Sequence, residues 1–265
     1  MHALKERDIA ALADFAIETI RSSGEEARAF YGKGKRTMGF DEGLVTEAEL
    51  RLMEAFGKEL KSRFPEHLLY QDLERDAEYT HEEKRYVWIY DPIDGVANFQ
   101  AGIPLWGSSV AVLENFWPVF GVFYMPVTGD LFYAQAGGNA YLGDQKIHVL
   151  EDDDIDDESV LFTYSRFHRD YRTHFPGKIR NLGSTAAHIC YVARGRAEAA
   201  LINNESYRGL AAARVIIESA GGRIYDTDGQ EIFLNSYLEG ERIRDRLLVC
   251  APGFCRQVMD FLEPV

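Results

Sequence analysis

Cysteine is scarce: three residues in 265, Cys190, Cys250 and Cys255, are too few and too scattered for a disulfide framework or a zinc cluster. Free thiols buried in a reducing cytoplasm are the reading they leave. Long apolar runs are also missing. No stretch reaches the roughly 18 residues of a membrane span. The first residues, Met1 to Asp8, run straight into an amphipathic pattern without the apolar centre of a signal peptide. Positive charge is short as well: Lys and Arg number 29 against 43 Asp and Glu, a formal net charge of −14. A surface this acidic repels phosphate backbones and argues against sequence-independent nucleic-acid binding. It also sets a condition on any phosphate ester as ligand. Metal ions, placed Arg or Lys, or a helix N-terminus must supply positive charge locally.

The residues present are those of an ordinary globular protein, 46% hydrophobic and 27% charged, with length for one large domain or two packed subdomains. Ile9, Leu12, Ala13, Ala16 and Ile20 recur at helical spacing, predicting a helix that ends near Ser22-Ser23-Gly24. A glycine-rich basic loop from Gly32 to Gly43 follows. Thr46-Glu47-Ala48-Glu49 then fits a capping box opening a second helix. Tyr86 to Tyr90 reads as a buried strand stopping at Asp91-Pro92, and strands bracket Glu114-Asn115 as a hairpin. Asp130 to Ala134 continues the sheet.

Glu151 to Glu158 holds seven acidic residues in eight and lacks the turn glycine of a calcium loop, so it reads as a solvated linker. It would divide an N-terminal unit, 1–150, from a C-terminal unit, 151–265. Beyond it the pattern predicts strands at Val160–Tyr164, Ala197–Ile202 and Leu247–Cys250. Helices are expected at Ser184–Ala193, Leu210–Ser219 and Phe254–Leu262. Strands and helices mix without strict alternation, which argues for a layered α/β or α+β sandwich.

Asp91-Pro92-Ile93-Asp94-Gly95-Val96-Ala97-Asn98-Phe99 is the segment most suited to chemistry. Two carboxylates and the Ile93 carbonyl, freed by the proline turn, are hard oxygen donors of the kind Mg²⁺ prefers. Gly95 would let backbone approach a phosphate, and a helix beginning at Val96 and Ala97 would aim N–H groups at it. By spacing alone, Asp-Pro-x-Asp-Gly is equally a plain turn at a strand end.

The segment resembles the first signature of the inositol monophosphatase family, Asp-Pro-x-Asp-Gly-Thr/Ser-x-Asn-Phe. Other matches follow in the family's order: Val45-Thr46 with its helix start, Gly121-Val122-Phe123-Tyr124-Met125-Pro126 with its strand. Gly183-Ser184-Thr185-Ala186-Ala187 resembles its second-subdomain helix, and Glu218-Ser219-Ala220-Gly221-Gly222 the end of its C-terminal signature. The resemblance covers Val45 to Phe261. It implies an α+β fold, a layered αβαβα sandwich of the sugar phosphatase type, usually a homodimer. It also implies Mg²⁺-dependent hydrolysis of a small phosphorylated metabolite, with no membrane or nucleic-acid partner. Asp91 and Asp94 would be catalytic and, with the Ile93 carbonyl, metal ligands.

Several positions depart from the family. The metal-binding Glu twenty positions before Asp91 is Gln71, beside Asp72 as a substitute ligand. The water-orienting Thr or Ser is Val96. An ungapped count puts the Trp-Asp pair that opens the C-terminal signature at Arg208-Gly209, so a third carboxylate is lost and a cation stands beside the vacancy. Glu49 stands for Asp, the mildest change. Phosphate contacts are expected from Gly95, Val96, Ala97 and Arg208, with Lys33 and Lys35 as further candidates. The leading expectation is a Mg²⁺-dependent phosphomonoesterase for inositol monophosphate or a similar polyol phosphate, with reduced or altered activity. A non-catalytic phosphate-ligand-binding or regulatory protein is the chief rival; a nucleotide or fructose phosphate phosphatase is the other.

Overall fold

The structure is a computed structural model describing residues 2–34, 42–72, 85–151, 154–233 and 242–265. Two long helices come first, α1 (His2–Ala27) and α2 (Glu42–Arg63). The chain then builds a seven-stranded sheet in sequence order: β1 (Leu68–Leu69), β2 (Tyr86–Asp94), β3 (Gly107–Glu114), β4 (Trp117–Met125), β5 (Asp130–Gln135), β6 (Ala140–Leu142) and β7 (Gln145–Ile147). Only β1 and β2 pair in parallel; from β2 to β7 it is an antiparallel meander. A short helix, α3 (Val96–Ala101), links β2 to β3.

The second half contributes β8 (Val160–Thr163), β9 (Tyr171–Thr173), β10 (Lys178–Arg180), α4 (Thr185–Ala193), β11 (Ala199–Ser206) and α5 (Tyr207–Ser219). It ends with β12 (Arg223–Tyr225), β13 (Arg242–Cys250), α6 (Phe254–Asp260) and β14 (Leu262–Pro264). The five-stranded sheet runs β10-β8-β11-β13-β12, and β14 pairs with β9 apart from it.

Strand alternation explains the layering. Along β2, Trp88 and Tyr90 face a core shared with Phe15, Ile20, Leu52 and Phe56 of α1 and α2. Val87 and Ile89 face a second core with Ile189 of α4, Val215 and Ile216 of α5, and Leu248 of β13. In β13, Leu247, Leu248, Val249 and Cys250 are all buried, as expected of a strand covered on both faces. Helix α6 packs on β13 and β11. The layers therefore run α1/α2, seven-stranded sheet, α4/α5, five-stranded sheet, α6: the five-layer α+β sandwich the resemblance implies.

Several local expectations are corrected. Helix α1 does not end at Gly24 but continues to Ala27. Ser23 is buried, and a Cβ at Gly24 would lie 2.7 Å from the Pro126 ring and 2.9 Å from Tyr124. That glycine serves close packing rather than termination. Helix α2 starts at Glu42, so Thr46 lies inside it and the capping box does not form. Val45 already belongs to the buried face of that helix, which extends upstream of the threonine. Strand β2 does not stop at Asp91-Pro92 but resumes through Asp94 after a register shift, Asp91 facing Ser109 and Asp94 facing Gly107.

Candidate active site

Both aspartates of the signature lie at the end of β2, where the irregularity in register turns them toward the helices of the middle layer. The Ser108 hydroxyl donates to the Pro92 carbonyl at 2.7 Å and holds this bend. Gly95 follows with φ 86°. A Cβ there would meet the Leu105 carbonyl at 3.0 Å and Ser184 Cβ at 3.1 Å, so only glycine fits without strain. Helix α3 is only six residues long, with Val96 half-buried and Ala97 exposed at its start.

Asp94 is engaged from across the molecule. Its Oδ2 accepts the Ala186 amide at 2.9 Å and the Ser184 hydroxyl. Ser184 also caps α4 by accepting from the Ala187 amide at 3.1 Å. The first turn of α4 is thus already matched to a carboxylate of the chain itself. Burial pushes Asp94 up to about 7, helped by the nearby charges of Asp91 and Glu205, while Ser184 and the Ala186 amide oppose the rise.

Asp91 is buried and faces the first turn of α5. Arg208 brings its Nε to 3.6 Å from Asp91 Oδ1. Burial pushes Asp91 upward, and the Arg208 guanidinium pulls it back. Glu49 of α2 comes to the same place: burial raises it, Arg208 lowers it, Asp91 raises it. Gly209 sits beside these groups. A Cβ there would lie 3.8 Å from Asp91 Oδ2 and 3.5 Å from Glu205 Oε2, ordinary contact distances. Residue 209 thus lies beside Asp91, where the ungapped register puts it.

Glu205 is a site residue that the sequence pattern does not single out. Its Oε1 accepts the Thr185 hydroxyl at 2.6 Å. Burial raises it, with Thr185 and Arg242 opposing and Asp91 adding to the rise. Four carboxylates, Glu49, Asp91, Asp94 and Glu205, are therefore linked through Asp91, and all four are pushed toward the protonated form. Burial is the largest cause in each, and the charge of Asp91 adds to the rise of Glu49, Asp94 and Glu205.

The other expected site residues are more scattered. Gln71 lies in a turn of 3-10 helix, Tyr70–Asp72, and lines a narrow cleft with Tyr70, Tyr90 and Arg208. Asp72 is exposed on the same turn and does not line that cleft. Lys33 is exposed in a loop whose Gly32 and Gly34 amides bond the Phe99 and Gln100 carbonyls. Lys35 lies outside the described residues.

The sequence pattern of the inositol monophosphatase family matches residues 8–254. The chain belongs to that family. A fructose-1,6-bisphosphatase/inositol-1-monophosphatase of Thermotoga maritima is 28% identical over 249 residues, covering 87% of this chain and 94% of its own. An inositol monophosphatase of Mesembryanthemum crystallinum is 31% identical over 241 residues, covering 83% and 88%. The crystal structure of the extragenic suppressor protein suhB from Bartonella henselae superposes with a TM-score of 0.74 at 20% identity, covering 94% and 97%. The superposition shows the fold; the family and the two sequence relatives place the chain among phosphoric monoester hydrolases, metal-dependent as a class.

As a member of the inositol monophosphatase family, the chain invites a test of its fit to Mg²⁺. Asp91, Asp94 and the Ile93 carbonyl are hard oxygen donors of the kind that ion prefers, enough for one ion whose remaining positions water would fill. They do not suit a pair. Among the described residues no three His, Cys, Asp or Glu side chains gather closely enough to hold an ion between them.

Proposed function

We propose that the chain is a Mg²⁺-dependent phosphomonoesterase for inositol monophosphate or a similar small polyol phosphate, with turnover reduced relative to a fully equipped site. The observation that carries this reading is the pairing at the mouth of α5: Arg208 beside Asp91, with no side chain at Gly209. The aspartates that would hold an ion are there, and the residue that would hold a second ion is not.

A bound Mg²⁺ would polarise a phosphoryl oxygen and lower the pKa of its water. The chain's own residues set the rest. Asp91 and Asp94, ionised, would hold the ion, and Ser184 and the Ala186 amide keep Asp94 from turning away. Arg208 and the Gly95 backbone hold the ester. Val96 offers no hydroxyl to orient the attacking water, and Gln71 offers an amide that takes no proton. We place the substrate between the 1–150 and 151–265 units and the protein in the cytoplasm as a homodimer. Three buried free thiols accord with a reducing compartment.

Phosphate release from a panel of esters, run on metal-stripped protein refilled with Mg²⁺ or Mn²⁺, tests the reading. Inositol 1-phosphate or another polyol phosphate should be hydrolysed, and Asp91→Asn should abolish the signal. Equal release by the parent and Asp91→Asn for every ester would refute it.

A further inference from the structure

We propose that Arg208 is the built-in second cation of the site around Asp91, so that one divalent ion and one guanidinium together grip the phosphate. The inference rests on the phosphate-ester reading above and adds that a single ion and Arg208 act on the phosphate together.

Placement comes first. Arg208 is the second residue of a thirteen-residue helix whose start is fixed by Ser206, which accepts the Gly209 amide at 3.1 Å. An arginine anchored there cannot drift with a loop. Its Nε faces Asp91 at 3.6 Å, and its side chain keeps 44% exposure. Among the described residues its terminal N–H groups have no hydrogen-bond partner, so a planar donor fork is left open beside Asp91. That fork matches two oxygens of a phosphate group.

Charge argues that the fork works with an ion rather than alone. Asp91 Oδ2 and Glu205 Oε2 both border the space beside Gly209, and Arg208 stands with its Nε 3.6 Å from Asp91 Oδ1. A phosphate dianion would meet net repulsion there unless a divalent ion joined Arg208. The guanidinium in turn weakens a second ion's hold, because it already stands against Asp91. Gly209 adds no carboxylate to the space between Asp91 Oδ2 and Glu205 Oε2. One ion and one arginine is the combination that these charges favour.

Calorimetry with Mn²⁺, then with inorganic phosphate in saturating Mn²⁺, tests this on the parent, Arg208→Gln and Arg208→Lys, beside ester turnover by each. The parent should bind one Mn²⁺ per chain and should bind phosphate only when Mn²⁺ is present. Phosphate affinity should fall about tenfold or more in Arg208→Gln, with Arg208→Lys between, since a point charge remains but the fork is lost. Mn²⁺ should bind several-fold tighter to Arg208→Gln. If that variant does not melt cooperatively, Arg208→Lys, which keeps the charge beside Asp91, carries the comparison. Two Mn²⁺ per parent chain, or phosphate affinity indifferent to residue 208, would overturn the proposal. Arg208-dependent phosphate binding without turnover would overturn the phosphatase reading and leave this one standing. Turnover with phosphate affinity unchanged in both variants would do the reverse.

Discussion

Asn98 and Leu182 are 84 positions apart in the chain and share a hydrogen bond of 2.7 Å, the Asn98 amide donating to the Leu182 carbonyl. The same amide nitrogen donates to the Leu105 carbonyl at 2.6 Å. Asn98 thus ties the turn after Asp94 to the loop that leads into α4, the helix whose first turn holds Asp94. Gly183 allows the approach, since a Cβ there would lie 2.6 Å from the Asn98 amide nitrogen.

Asn98→Ala should therefore cost about 2–4 kcal/mol of stability, because two carbonyls in a partly buried place lose their donor. Urea unfolding of parent and variant measures it. A loss within about 0.5 kcal/mol would mean that water replaces the amide.

His188 governs an acid-sensitive step. It is buried, stacks on Phe162, and accepts the Leu182 amide on Nε2 at 2.8 Å, which requires the neutral ring. Burial lowers it to about 4. A folded-state value below the unfolded one means stability that is complete above about pH 6.5 and lost as pH falls toward 4. The loss is up to about 3 kcal/mol. The raised carboxylates Asp91, Asp94 and Glu205 act in the opposite sense over this range, so the difference curve between parent and His188→Gln isolates the histidine. Glutamine can still accept from Leu182. The parent should lose stability relative to His188→Gln from pH 6.5 to 4; parallel curves would remove the histidine from the account.

Much of this arrangement is legible in the residues, and the failures have physical causes. The apolar run Tyr86 to Tyr90 announces β2 because it is covered on both faces, and Asp91 and Asp94 follow it directly. Gly24 reads as a stop signal because packing against Tyr124 and Pro126, distant in sequence, does not show in local spacing. Thr46 fits a capping pattern that the preceding apolar residue Val45 overrides. Glu205 is hidden for a different reason. A register shift separates Asn203 from Glu205 in β11, and Asn204 has φ 58°. A bulge breaks the two-residue alternation, so parity along the strand cannot say which way Glu205 points. Its proximity to Thr185 and Gly209 emerges only when the sheet and both helices are assembled.

The central claim is that activity is held back by a missing metal ligand, a missing hydroxyl and a guanidinium standing in for an ion. The most direct measurement is kcat/KM for inositol 1-phosphate across a Mg²⁺ series. It should compare the parent, the single changes Gln71→Glu, Val96→Thr and Gly209→Asp, their triple combination, and the triple with Arg208→Trp. Residue 209 has room for a Cβ at ordinary contact distances, so the new aspartate does not collide. Groups that act as one unit are strongly non-additive, so the singles should change little. The triple with Arg208→Trp should gain about 100-fold or more, with a steeper dependence on Mg²⁺ than the parent. A parent that already hydrolyses the ester as fast as the fully reverted protein would contradict the account.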